Sequence, residues 1–466
     1  MSHANLPSVD DLVVILPGIL GSVLASKTGK EIWSPSAGAV LRALVTFGRS
    51  IKQLTLPVDI GDGPAPDGVT ATRLLPDIQI LPGLWTAQKG YKGLLKWIRN
   101  VGLVLDHNGN PRNLISFPYD WRLSNRYNAA KLQQTIEPAL EQWRLTHPDA
   151  KVVFVCHSMG GLIVQWYIRK LGGGSLTRSI YSIGTPYRGA AKALINLVNG
   201  AHKRFWPDAV NFDEFMSRMP SIHQLLPTYP CVLTNGSLKR MTDVALPNLD
   251  ANLVQDGLKF LNTLAEPPER DASVPDLYPI VGWRQPTVTT AELEGDKLLP
   301  FESTDGTREG KNQGGDGTVP IVSAVPQWMS YDSPFIRGHA DDHSSLQSNE
   351  RVHETIDFLL FQRELFRPAE IEELAVRVEE FCLEGDPLVV TANAASGRGD
   401  LSLRAQVRDE TGKILRNIKI SNSVGMIDSL KPGAYEILVG GLGVDAERVS
   451  PVTKLAFVAP RSGLLL

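Results

Sequence analysis

The sequence predicts an α/β fold, a mostly parallel sheet with helices on both faces and a cap insertion, followed by a small C-terminal β-sandwich. Three observations predict it. Between residues 11 and 170, short apolar runs alternate with amphipathic helical stretches, as expected where crossover helices cover both faces of a parallel sheet. From about 190 to 275 the chain is richer in Pro, Trp, Phe and Met and loses this alternation, which suits an inserted cap. After Pro368 it changes to short alternating strands divided by turn residues. A length of 466 residues exceeds one ordinary core. The expected division is a domain of residues 1–367, with cap or lid insertions at about 33–90 and 190–275, and a sandwich of residues 368–466.

In chain order, "DLVVIL" reads as the first strand, broken by Pro17 and Gly18. "YKGLLKWIRNVG" carries apolar positions at helical spacing and ends at Gly102. "NLISFPYDWR" is strand then turn, "NAAKLQQTIEPALEQWRLT" a long amphipathic helix, and "KVVFVC" a buried strand. "RSIYSIGTP" and "LYPIVGW" are further strands, and "FLLFQRELF" ends a closing helix. In the sandwich, Leu401, Leu403, Ala405 and Val407, then Tyr435, Ile437 and Val439, alternate with polar residues.

Composition excludes several classes. A net charge of −3 with 21% charged residues gives no basic surplus for nucleic acid, so no nucleic-acid partner is expected. Three widely spaced cysteines, Cys156, Cys231 and Cys382, form neither a disulfide framework nor a zinc-ligand pattern. A reducing, cytoplasmic location is the expectation. The N-terminal stretch has no positive n-region and reads as a strand rather than a signal peptide, and no run of 18 apolar residues occurs.

The chemistry gathers at "VVFVCHSMGGLIVQWYI". A buried strand ends at Cys156, the chain turns through His157–Gly161, and a helix follows, so that Ser158 sits at a nucleophile elbow. The usual Gly-x-Ser-x-Gly begins here with Cys156. A serine hydroxyl needs a base, and the base a carboxylate, in the chain order Ser, Asp, His. "GGDGTVP" offers Asp316 in a tight glycine loop, and "GHADDHSSLQSNERVHETIDFLL" offers His339 and His343 in a polar stretch. His343 is preferred because it directly precedes Ser344 and Ser345, expected to cap the closing helix; His339 is the reserve, and His353 is expected on the helix surface. Oxyanion donors are expected from the backbone of Ile19, with Leu20 as the near alternative, in "ILPGILGS", and from Met159.

Taken together, "LPGILGS", "FPYDWR", "HSMGG", "IGTPYRGA", "GDGTVP" and "HSSL" resemble the lecithin:cholesterol acyltransferase family, which includes lysosomal phospholipases A and phospholipid:diacylglycerol acyltransferases. The resemblance spans roughly residues 11 to 360. It implies an α/β-hydrolase fold, a Ser158–Asp316–His343 triad and lipid ester substrates. It also implies that "FPYDWR" is structural, with Asp120 paired to Arg122 and Trp121 packed near the pocket. The sandwich lies outside the family pattern.

The expected function is therefore a serine lipid acyl hydrolase or acyltransferase, phospholipase A-like, working through an acyl-serine intermediate with no metal and no organic cofactor. The alternatives are a carboxylesterase of small soluble esters, or an inactive hydrolase-fold scaffold acting through a protein partner bound at residues 368–466. Residues 1–367 are expected to carry the chemistry by themselves. Peripheral membrane contact is expected through Val40, Leu44, Phe47, Ile51 and Leu54, which form one stripe if "AGAVLRALVTFGRSIKQLTL" is helical.

Overall fold

Strand β1, Leu12–Leu16, is apolar at every position because both of its faces are covered. Leu12, Val14 and Leu16 point into one core and Val13 and Ile15 into another on the opposite face. Strand β3, Val152–His157, divides in the same way: Val152, Phe154 and Cys156 lie on one side, Val153 and Val155 on the other. Four more strands complete the central sheet: β2 (Leu114–Ser116), β4 (Thr177–Ile183), β5 (Asp276–Gly282) and β6 (Arg337–His339). The order is β6-β5-β4-β3-β1-β2, and every neighbouring pair is parallel. In this computed structural model, the residues described are 9–33, 52–76, 89–101, 103–106, 110–200, 212–269, 274–302, 314–361, 371–399, 401–428 and 430–461.

Helices cover both faces, as the alternation requires. Helix α1 (Lys92–Ile98) and helix α4 (Glu350–Phe361) pack Leu94, Ile98, Val352 and Ile356 on the side of Val13 and Val153. Helix α2 (Asn125–Arg144), capped by the Ser124 side chain, and helix α3 (Met159–Lys170) cover the other side. This is an α/β-hydrolase arrangement: parallel strands send all their C-terminal loops to one edge, where ligands meet such sheets. Among the described residues, no helix is long and apolar enough to cross a membrane.

Three expectations change. Helix α4 is capped by Asn349, whose Oδ1 accepts from the Arg351 amide at 2.8 Å, and not by Ser344 or Ser345, which belong to the loop before it. His353 is buried, not on the surface; its ring stacks on Trp97 and its Nε2 donates to the Gln347 carbonyl. Leu54 is fully buried, in the core that holds Trp33 and Trp121, and so cannot meet a lipid surface. An amphipathic stripe does not say which apolar medium it faces, and here the protein core takes Leu54. Val40, Leu44, Phe47 and Ile51 lie outside the described residues, as do Gly102 and Pro368.

The stretch after β4 contains helices Ala191–Asn199 and Ala251–Ala265, together with strands Val232–Thr234 and Ser237–Lys239. These strands join the hairpin Thr290–Glu294 and Lys297–Phe301 in a second, four-stranded sheet. Two of its four strands have three residues, too few for alternation to show.

Beyond α4, three strands (Leu374–Val378, Leu388–Ala394, Val424–Ile427) face five (Phe381–Leu383, Leu403–Asp409, Ile414–Ile420, Gly433–Gly441, Val452–Ala459) across a core of their own. The alternating Leu403, Ala405, Val407, Tyr435, Ile437 and Val439 fill it. All pairings are antiparallel except that of Phe381–Leu383 with Val452–Ala459. This unit is fastened to the α/β part: Gln285 Nε2 donates to the Leu374 carbonyl at 2.9 Å, and the Val376 amide donates to Gln285 Oε1.

The turn "FPYDWR" explains how the loop after β1 is held. Tyr119 donates its hydroxyl to the Pro17 carbonyl at 2.8 Å, and the indole of Trp121 donates to the Ser22 carbonyl at 3.2 Å. Arg122, with no exposed surface, grips Asp120 bidentately at 2.9 and 2.6 Å, Asp67 at 2.7 Å and the Leu54 carbonyl at 3.0 Å. A buried guanidinium that loses a partner retains its desolvation cost. Asp120→Ala is accordingly expected to lower unfolding free energy by about 3 kcal/mol, at the lower end for a broken buried pair because Asp67 remains. Denaturant unfolding measures this, and a loss below about 1 kcal/mol would mean that the pair carries little.

Candidate active site

Ser158 follows the last residue of β3 and precedes the first of α3, and it takes φ 52° and ψ −126°. This is a backbone conformation that a residue with a Cβ rarely adopts. It is held by the Ser158 amide donating to the Ile183 carbonyl at 2.8 Å and by the close fit of the helix start. A Cβ at Gly160 would lie 2.5 Å from the Pro17 carbonyl, so only glycine lets the helix approach the loop after β1. Cys156, at the usual first glycine, is fully buried at the end of β3; its thiol points to the Tyr181 carbonyl, and burial pushes its pKa up. A strand position with room for a small side chain accepts it.

Asp316 and His343 meet Ser158. His343 Nε2 lies 2.9 Å from Ser158 Oγ, and His343 Nδ1 lies 2.7 Å from Asp316 Oδ2. Because a carboxylate only accepts, the proton is assigned to Nδ1, leaving the Nε2 lone pair for the serine hydroxyl. The Asp316 carboxylate is fixed from its other oxygen by the amides of Thr318 (3.0 Å) and Val319 (2.6 Å), and its carbonyl accepts the His343 amide at 2.7 Å. Asp316 is buried. Gly184, with φ 58°, leaves the space: a Cβ there would be 3.1 Å from both Asp316 Oδ2 and His343 Nδ1. The reserve histidine, His339, ends β6 and bonds Thr355 Oγ1 at 3.2 Å, turned toward α4. Together the three side chains can draw a proton from Ser158 and hold the resulting imidazolium.

Ile19, Leu20 and Met159 are all buried beside this cluster, and Leu20 has φ 64°. Among the described residues, neither the Ile19 nor the Met159 amide donates to a protein acceptor. The Met159 amide opens helix α3, where the positive dipole end favours a developing anion.

Two residues escaped the sequence reading. Tyr91, at the start of α1, accepts the Gly18 amide at 2.7 Å and donates to His157 Nδ1 at 2.8 Å. His157 Nε2 in turn donates to the His343 carbonyl at 3.1 Å. This chain of bonds joins the loop after β1 to the backbone of His343 through the residue preceding the serine. The only available signal was the polar His157 at the end of an otherwise apolar strand. Burial, then the neighbouring His343, holds the His157 pKa well below the usual imidazole range, so the ring is neutral.

The sign of its pH effect follows. The unfolded chain binds a proton at His157 below about pH 6.5 and the folded chain does not, so this residue's contribution to stability is present above that pH and is lost as pH falls. In His157→Gln the loss of stability between pH 6.5 and 5 should be shallower by up to about 1.4 kcal/mol per pH unit. Comparing the two proteins isolates this group, because the lowered His223 and His353 and the raised Asp341 are common to both. Parallel curves would show that His157 is protonated in the fold.

Comparison with known proteins adds a family. Residues 65–268 match the family model of lecithin:cholesterol acyltransferase. Two crystal structures of Bacillus licheniformis lipase BlEst2 are similar at 13% identity: the mature form, covering 75% of this chain and 92% of that one with a TM-score of 0.33, and the propeptide form, covering 96% and 93% with a TM-score of 0.32. The solution structure of the PKD domain from human KIAA0319 is similar at 18% identity over 22% of this chain and 95% of that one, with a TM-score of 0.16. No curated protein sequence matches. The matched segment contains the turn "FPYDWR", the elbow and the strand that follows, so over residues 65–268 the chain is similar to the lecithin:cholesterol acyltransferase family.

Proposed function

We propose that the chain is a serine lipid acyl hydrolase or acyltransferase, phospholipase A-like, with Ser158 as nucleophile, His343 as general base and acid, and Asp316 as the group that orients His343. The observation that carries this reading is the continuous hydrogen-bonded path from Ser158 Oγ to His343 to Asp316 at 2.9 and 2.7 Å. His343 Nε2 takes the hydroxyl proton as Oγ attacks the ester carbonyl carbon. The Ile19 and Met159 amides stabilise the tetrahedral oxyanion, which collapses to acyl-Ser158 while His343 gives its proton to the leaving alcohol. Water or a second alcohol then attacks the acyl carbon by the same steps, releasing Ser158. The scheme calls for no metal or organic cofactor.

Lipid esters are the favoured substrates because of the family matched over residues 65–268. Peripheral membrane contact belongs to the same reading and rests on the apolar spacing of Val40, Leu44, Phe47 and Ile51 in the sequence. A cytoplasmic location fits three free, buried cysteines.

Ser158→Ala should abolish fluorophosphonate labelling and lower ester turnover by roughly 10⁶-fold with an unchanged melting temperature. Asp316→Asn should cost roughly 10⁴-fold. His343→Ala should match the serine variant and His339→Ala should not; undiminished turnover in Ser158→Ala or His343→Ala would end the proposal.

Mixed phospholipids incubated with the protein and analysed by mass spectrometry should yield lysophospholipids or transacylated products. Turnover confined to short soluble esters would favour a carboxylesterase instead. Phe47→Asp should lower activity on liposomes at least tenfold more than on a soluble ester, and equal loss on both would remove the membrane contact.

A further inference from the structure

The loop that carries His343 is supported by the C-terminal sandwich, and the support falls on both residues preceding the histidine. Among the described residues β6 is an edge strand, paired only to β5, so the loop leaving it has the sheet on one side alone. On the other side lies the start of strand Val452–Ala459. Asp341 Oδ1 accepts the Thr453 amide at 3.1 Å as well as the Asp342 amide at 2.8 Å, while Asp341 Oδ2 accepts Asn349 Nδ2 at 2.7 Å. Asp342 Oδ2 accepts Lys454 Nζ at 2.6 Å, and its Oδ1 accepts the Ser344 amide and hydroxyl at 3.1 and 2.5 Å, closing a turn around His343. Ser345 Oγ lies 3.0 Å from the Thr453 carbonyl.

The same ammonium borders the loop of the partner carboxylate. A Cβ at Gly317, directly after Asp316, would lie 2.7 Å from Asp342 Oδ2 and 3.6 Å from Lys454 Nζ. Lys454 therefore stands where the Asp316 loop and the His343 loop converge. Both partners of the ion pair are nearly buried, at 11% and 8% side-chain exposure, so the pair is well shielded from solvent screening. Burial pushes the Asp342 carboxyl up, but Lys454 and the Ser344 donors outweigh it and hold it below the usual carboxylate range. Burial, followed by the nearby Asp342 charge, raises Asp341 to about 6 despite the amide and hydroxyl donors around it. The sandwich also grips the Asp316 side of the site: Gln285, whose amide donates to the Gly315 carbonyl at 3.0 Å, is held on both side-chain ends by Leu374 and Val376.

We propose that Lys454 is a positioning residue for the reaction: with Thr453 it fixes Asp341 and Asp342, and so holds the His343 imidazole between Ser158 and Asp316. The sandwich is then part of the catalytic scaffold, contrary to the expectation that residues 1–367 suffice. This rests on the reading of Ser158, His343 and Asp316 given above. A displacement of about 1 Å at a general base costs on the order of 10²-fold in rate, whereas ester binding, which Lys454 does not touch, stays as it was.

The test uses the full chain, a soluble p-nitrophenyl ester and a fluorophosphonate probe, at a temperature well below the melting point of each variant. Lys454→Met should lower kcat on the order of 10²-fold with KM within twofold, and should slow probe labelling of Ser158 to the same degree. Arg377→Gln, which breaks the exposed bridge between Arg377 and Glu302 from the same sandwich, should leave kcat within twofold. If Lys454→Met does not fold, Lys454→Gln, whose donor is one bond shorter, is read by the same criteria.

An unchanged kcat in a folded Lys454 variant, a change confined to KM, or an equal kcat loss in Arg377→Gln would overturn the proposal. Failure of the underlying reading looks different: the wild-type protein itself would not label at Ser158.

Discussion

The geometry of the site rests on one backbone constraint, the positive φ of Ser158. Such a residue keeps its conformation only where the surroundings over-determine it. Here β3 is buried on both faces, helix α3 begins at the next residue, and the glycine two positions on lets the helix touch the loop after β1. The strain is thus balanced by burial on either side of the turn. Everything that Ser158 meets has to be delivered to this one fixed point.

Delivery follows from the parallel sheet. The loop after β1 and the residues after β4, β5 and β6 all emerge at the same edge as the serine, which brings together residues 158, 184, 316 and 343 without any being near neighbours in sequence. Fine positioning comes from elsewhere, through polar contacts made by buried side chains. Tyr119 and Trp121 hold the loop after β1, Tyr91 and His157 tie that loop to the His343 backbone, and the sandwich meets the two carboxylates before His343. A buried polar group left without a partner costs more than a made bond contributes, so each of these contacts is insistent about its geometry.

What could be read from the sequence was what chemistry forces into short motifs. A nucleophile elbow needs small residues at fixed offsets, so Ser158 stood out. Asp316 stood out between glycines, and His343 as one of two histidines in a polar loop. The alternating runs gave the strands and the sandwich because burial on one face or two leaves a periodic trace. Tyr91, His157 and Lys454 were not legible for the opposite reason: their partners lie 66, 186 and 112 residues away, and nothing in the local pattern marks a tyrosine or lysine that reaches so far. Leu54 was misread because amphipathicity records a preference for leaving water and not the destination.

The separation of Asp341 from Thr453 has a consequence for how the molecule is made. At ordinary rates of synthesis of about 5–20 residues per second, the 112 residues between them take roughly 6 to 22 s to follow one another off the ribosome. The elbow, the sheet and the Asp316 turn all leave the ribosome earlier, and domains generally fold as units in the order of synthesis. The nascent chain therefore passes through a period in which the α/β core exists while the two carboxylates before His343 still face water. Thr453 and Lys454 come off the ribosome after every other residue that meets the site, so the order of synthesis sets the order in which the site becomes rigid.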